Sequence, residues 1–209
     1  MLQENIIVNC RLSKDIDNDN LDREFNDSEY TNSAKESQSI VTNKKQQQQE
    51  YYRDKILHLS DFNEAFELVK STVEDRYKMH RAGLSLILQV MPTKLGAYHV
   101  LGSNLIIANK RILDIIKKYK SSEEYNSYLF MVLVHEYLHS FGIIDELQVR
   151  KMTYTLIASL VGEDHMATNM ARYQPWNIFP ELNLFHNNSF EQKFQVVRNF
   201  DKTTQSYIG

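Results

Sequence analysis

Residues 129–150 read LFMVLVHEYLHSFGIIDELQVR, and inside them His135-Glu136-Tyr137-Leu138-His139 sets two histidines four positions apart in an apolar run. On a helix, positions i and i+4 share a face one turn apart, so both imidazoles would point the same way. Tyr128, Leu129, Met131, Val132, Leu133, Val134 and Leu138 surround the pair. A helix that is apolar nearly all round is a central one. Ser121 and Glu124 have capping-box spacing, so this helix is expected to start there and run to about Phe141. Gly142 is placed to end it. Asp145 with Gln148 then starts a long helix that Gly162 ends.

Upstream, Asp61 and Glu64 form another capping-box pattern, and Phe62, Ala65, Phe66, Val69, Val73 and Tyr77 recur at helical spacing. A helix is therefore expected over 61–79, ended by Gly83. The run from Leu84 to Met91 reads as a strand stopped by Pro92. Residues 96–101 and 105–108 read as two more strands joined by a turn at Gly102-Ser103-Asn104. Asn109 is placed to cap a short helix with Ile112, Leu113, Ile115 and Ile116 on its buried stripe. The expected class is α+β, with a three-stranded, mostly antiparallel sheet packed on the central helix and flanking helices around it. Residues 51–172 form this domain. Residues 1–50, rich in Asn, Asp, Ser and Gln, read as a disordered polar tail, because so little apolar surface cannot offset the entropy of ordering it. Residues 173–209, with Trp176 and two prolines early on, read as a segment that wraps back over the core; 190–200 fits a strand or a short helix.

The net charge of −3 offers no basic face for nucleic acid. No apolar run approaches the roughly 18 residues that span a bilayer, and the first residues lack the pattern of a secretory signal. Cys10 is the single cysteine, which rules out an intrachain disulfide or a cysteine-based metal cluster. A cytoplasmic location follows as the expectation, with no nucleic-acid or membrane partner.

Two histidines drawn inside a protein without partners are costly, and a metal ion satisfies both. One turn apart on a helix, they can meet one Zn²⁺ at about 2.0–2.1 Å. Glu136 projects beside them, where it can take a proton from an attacking water and pass it to a leaving amine. The three residues together describe metal-assisted hydrolysis of an amide, with a peptide or protein as substrate. The competing reading is a zinc site that is structural or regulatory. Glu136 separates the two, since a structural site has no use for that carboxylate.

The run His135-Glu136-Tyr137-Leu138-His139, with strands before it and a helix after it, resembles the zincin metallopeptidases. Extended through Ser140-Phe141-Gly142-Ile143-Ile144-Asp145, it is similar to the metzincin pattern HExxHxxGxxH/D. That resemblance implies Gly142 as a sharp turn and Asp145 as third zinc ligand, the Asp form found in snapalysins. Met166 and Met170 are its candidates for a methionine turn. The order of elements also resembles the minigluzincins, which implies a Glu on the following helix, here Glu146, as third ligand. A third type of zincin would use His165. Asp145 also suits a helix N-cap, and Glu146 suits a first-turn position at the positive end of the helix dipole. His165 lies beyond about 24 Å of helix, so the chain must fold back to bring it near.

Three further residues are weaker candidates. Arg150 is spaced for an ion pair with Glu146, or for holding a substrate carboxylate. Tyr154 is a core residue or an oxyanion donor. His99 reads as an outward-facing strand residue, on one of the two strands that the zincin resemblance would pair with extended substrate.

Overall fold

The computed structural model describes residues 27–173, 175–185 and 189–201, with side chains from residue 42 onward. The chain divides into two compact units, Met1–Ile40 and Val41–Gly209, and every candidate site residue belongs to the second. Helix α1 spans Asp27–Leu57 and α2 spans Phe62–Tyr77. Strands β1, Ser85–Gln89, β2, Ala97–His99, and β3, Leu105–Asn109, come next. Helices α3, Lys110–Tyr119, α4, Ser122–Ser140, and α5, Glu146–Val161, follow. The chain continues through α6, Met166–Tyr173, the single turns α7, Pro175–Ile178, and α8, Glu181–Leu184, and strand β4, Phe194–Val196.

The α+β class is the expected one, and the sheet is larger and mixed. Its four strands run in the order β2-β3-β1-β4. The outer pairings are antiparallel, β2 with β3 and β1 with β4. The central pairing of β1 with β3 is parallel, with Ser85 opposite Leu105 and Gln89 opposite Asn109. Nothing local to either strand encodes that partnership, because the hairpin between them carries β2 on the outside.

The helix ends follow their caps. Asp61 accepts from the Glu64 N–H at 2.8 Å, while Glu64 reaches one residue further back to the Ser60 N–H and hydroxyl. The helix α2 stops at Lys78, whose φ of 56° is left-handed, rather than at Gly83. Gly83 instead leads into β1. Ser121 and Glu124 form a reciprocal capping box at the start of α4.

Around α4 the core closes on all sides: α2, α3, α5, α6 and β2 pack against it. Tyr128, Leu129, Phe130, Met131, Val132, Leu133, Val134, Tyr137 and Leu138 are all buried. At roughly 1.5–3 kcal/mol for each large apolar side chain, this packing outweighs any single cap. The packing therefore fixes where His135 and His139 sit.

Two polar clasps set the strands against α4. Asn109 caps α3 and also donates from Nδ2 to the carbonyls of Met91, Pro92 and Leu95. Its own N–H reaches the Gly96 carbonyl at 2.8 Å, so the loop that delivers β2 is pinned along its length. Arg81 donates to the Ser140 and Ser103 carbonyls and to Asn104, tying the end of α4 to the β2–β3 turn.

The order found over residues 27–50 corrects the expected disordered tail; residues 1–26 lie outside the described residues. That stretch of α1 is rich in Gln, Lys and Glu, which favour helix without needing an apolar stripe. The end of the helix is then anchored, with Ile56 fully buried and Arg53 Nε donating to the Val161 carbonyl at 2.7 Å. At the other end, β4 adds to the sheet, Phe200 stacks on Phe66 at 4.2 Å, and Asp201 accepts from Lys70 and from the N–H groups of Gly83 and Leu84.

Candidate metal centre

Three side chains converge where α4 ends and α5 begins. His135 and His139 face each other Nε2 to Nε2 at 3.2 Å. One carboxylate oxygen of Glu146, Oε2, lies 3.2 Å from His139 Nε2 and 3.3 Å from His135 Nε2. The three atoms form a nearly equilateral triangle. Tetrahedral coordination at about 2.0–2.1 Å would set ligand atoms about 3.3 Å apart, so the donor set fits a small divalent cation.

The chemistry of the donors agrees with the spacing. His139 Nδ1 sits 2.7 Å from the Ile143 carbonyl. A carbonyl only accepts, so Nδ1 carries the proton and Nε2 turns its lone pair to the triangle. Burial pulls the His135 imidazole below its ordinary pKa, against the Glu146 carboxylate, which acts to raise it. Neutral imidazole is the form that binds metal. Among the described residues, these three are the group of metal-ligating side chains that could hold an ion.

The third member is thus Glu146, the second of the three residues expected for that role. Asp145 stands outside the triangle and serves as the N-cap of α5, its Oδ1 accepting from the N–H groups of Leu147 at 2.9 Å and Gln148 at 3.2 Å. Each residue turns a helix by 100°, so the position after the cap aims its side chain another way, and the longer Glu reaches back to α4. His165 is also elsewhere. It is buried at the start of α6, where Nδ1 accepts from the Ala167 N–H at 3.2 Å.

Glu136 lies beside the triangle in a cleft of about 540 Å³ that also takes in His135, His139 and Glu146. The residue is buried, and its Oε2 has no hydrogen-bond partner. Its carboxyl is pushed up to about 8, first by burial and then by the charge of Glu146, while the His99 backbone N–H acts to lower it. That contact places β2, the edge strand on this side of the sheet, along the cleft. His99 is therefore half-buried in the cleft wall rather than facing outward.

The remaining candidates separate. Arg150 lines the cleft, and its charge lowers the pKa of His135. Tyr154 does not line it: its hydroxyl donates to Glu163 at 2.8 Å and accepts from Arg172 on the surface. Met166 and Met170 are both on α6, and Met170 reaches the cleft.

Sequence reasoning took Tyr128 as core, placed Gly96 only at the start of one of two candidate substrate-edge strands and passed over Thr153 and Trp176 as site residues, yet all four line the cleft. A Cβ at Gly96 would come within 3.1 Å of the Tyr128 hydroxyl and 3.8 Å of the Trp176 ring, so a larger residue there would press on the Tyr128 hydroxyl. One signal was available. Tyr128 precedes His135 by seven positions and Thr153 follows Glu146 by seven, two helical turns in each case.

No helix among the described residues is long and apolar enough to cross a membrane. No family model matches the chain, and neither does any curated protein or solved structure.

Proposed function

We propose that this chain is a zinc-dependent peptidase with a zincin-like domain, in which His135, His139 and Glu146 hold the metal and Glu136 is the general base. The observation that carries the reading is the triangle of Nε2, Nε2 and Oε2 with 3.2–3.3 Å edges, set beside a buried carboxylate in the same cleft. A zinc ion held there supplies Lewis acidity to a substrate carbonyl and makes a nearby water acidic enough to ionise close to neutral pH. Glu136 takes the proton of that water on its carboxylate and delivers it to the leaving amine. The His99 N–H holds the Glu136 carboxylate in place while it does so. The edge strand β2 offers backbone groups along the cleft to an extended peptide.

With Glu146 on the helix after the histidines, the arrangement favours the minigluzincin-like resemblance over the Asp form of the metzincins. A structural zinc site closes with four protein ligands. The group found among the described residues has three, which supports an open, catalytic position.

The test is hydrolysis of a fluorescently labelled unfolded protein by the zinc-loaded full chain, beside Glu136→Gln. The reading expects cleavage by the parent, none by the variant, and about one zinc per chain in both. Equal cleavage by both would contradict it, and so would zinc binding with no cleavage of any unfolded substrate.

A further inference from the structure

Resting on the peptidase reading, we infer that Leu101 and Ile144 form an apolar subsite beside the metal triangle and select substrates by a large aliphatic or aromatic side chain at one position near the scissile bond.

Both side chains line the cleft and both are open to solvent, Leu101 59% and Ile144 70% exposed. Single exposed apolar residues are ordinary on a protein surface. These two differ in where they stand and in how firmly they are held. Strand β2 runs beside α4 in the same direction: Gly96 lies against Tyr128, and the His99 N–H meets Glu136. Leu101, two residues further, therefore follows α4 toward His139 and the end of the helix. Ile144 is brought to that same end, because the carbonyl of its neighbour Ile143 sits 2.7 Å from His139 Nδ1.

Arg81 joins the two turns that carry them. Its guanidinium donates to the Ser140 carbonyl at the end of α4 and to Ser103 and Asn104 just after Leu101. Its backbone exchanges hydrogen bonds with the Tyr137 hydroxyl of α4. The turn after β2 is closed by Ser103, whose N–H and Oγ both donate to the Val100 carbonyl. A surface already fixed in place loses little freedom when a ligand arrives. Apolar side chains on such turns keep surface in water that a matching apolar group would remove.

The charged groups around this end have other places. Glu146 and the two histidines face one another at the metal position, and the Arg81 guanidinium is committed to the three acceptors above. Arg150 lines the cleft one turn past Glu146 on α5, away from the α4–α5 connection that carries Ile144. For a peptide lying along β2, a leucine or phenylalanine side chain gains contact with Leu101 and Ile144. An asparagine of similar size loses hydration to the same two apolar groups.

Both residues are exposed enough to change without disturbing the core. Leu101→Ser, Ile144→Ser and the double variant should keep Tm within about 2 °C and zinc affinity within about twofold. Blocked octapeptides would carry Leu, Ala or Asn at each of the four central positions in turn. Hydrolysis would be followed with the zinc-loaded parent, and binding of the fluorescently labelled peptides by anisotropy with zinc-loaded Glu136→Gln. At one position Leu should exceed Ala and Asn by at least about tenfold in both, the discrimination that a hydrophobic contact of this size supports. The double variant should bring that ratio to within about threefold of unity. Leu147→Ser, which alters a residue 76% exposed and outside the cleft, should leave it unchanged. No Leu preference at any position would overturn the inference, and so would one that survives the double variant or is lost equally in Leu147→Ser. Leu-selective binding without cleavage would uphold the subsite and defeat the peptidase reading. Cleavage without the preference would do the reverse.

Discussion

Two polar clusters sit on opposite ends of α5, and they differ in what they lack. At its C-terminal end, Tyr154 donates to Glu163 while Arg172 donates to both. Donors and acceptors match, and the group is complete on an exposed surface. At the N-terminal end, His135, His139 and Glu146 bring two imidazole nitrogens and a carboxylate oxygen to within 3.3 Å of one another, and His139 has already committed its proton to Ile143. His139 Nε2 and the Glu146 carboxylate oxygen both turn lone pairs to the same point, beside His135 Nε2, where a cation can join them. The difference separates a surface network that satisfies itself from a group of donors that could hold a metal ion.

The largest effect that would test this contrast is chemical. Glu136→Gln should cut peptide hydrolysis by about 10²–10⁴-fold, the usual contribution of a general base, with zinc content unchanged when measured by atomic absorption. Next comes the pair of adjacent acidic residues. Glu146→Ala should weaken zinc by about 100-fold or more in competition with a chromophoric chelator. Asp145→Ala should weaken it less than tenfold while losing about 0.5–2 kcal/mol of stability as a missing N-cap. The reverse ranking would move the third ligand back to Asp145.

A third effect is pH-dependent and belongs to the metal-free protein. The Glu136 carboxyl is held up to about 8, against about 4.3 in an unfolded chain. Its buried form is therefore neutral at low pH, and the penalty for ionising it grows as pH rises from roughly 4 to 8. Glu136→Gln should match the parent near pH 4 and exceed it above pH 8, by roughly 2–4 kcal/mol in urea unfolding. A constant difference across that range would show that the folded protein does not hold the carboxyl up. The smallest effect belongs to the complete cluster. Glu163→Ala should leave zinc affinity within about twofold and Tm within about 2 °C, because exposed ion pairs contribute little.

What the sequence made legible was local. Asp61, Asn109, Ser121 and Asp145 each cap the helix their spacing announces, because a cap needs only a side chain and an N–H two or three residues away. The apolar surroundings of His135 and His139 likewise marked α4 as the helix everything else packs on. Long-range pairing was not legible. The parallel match of β1 with β3 and the addition of β4 depend on partners some 20 and 100 residues away. Helix α1 was missed for the opposite reason: its propensity is real but carries no apolar stripe, so it reads as solvated chain until Ile56 and Arg53 dock. Spacing put Asp145 ahead of Glu146 as the third ligand, whereas in the structure Asp145 caps α5 and it is the Glu146 carboxylate that meets the two histidines.

The most direct test of the central claim is anomalous diffraction at the zinc edge from crystals of the zinc-loaded chain. The account predicts one peak within bonding distance of His135 Nε2, His139 Nε2 and a Glu146 carboxylate oxygen, with no fourth protein ligand. A peak bonded to Asp145 or His165 in place of Glu146, or none at the two histidines, would contradict it.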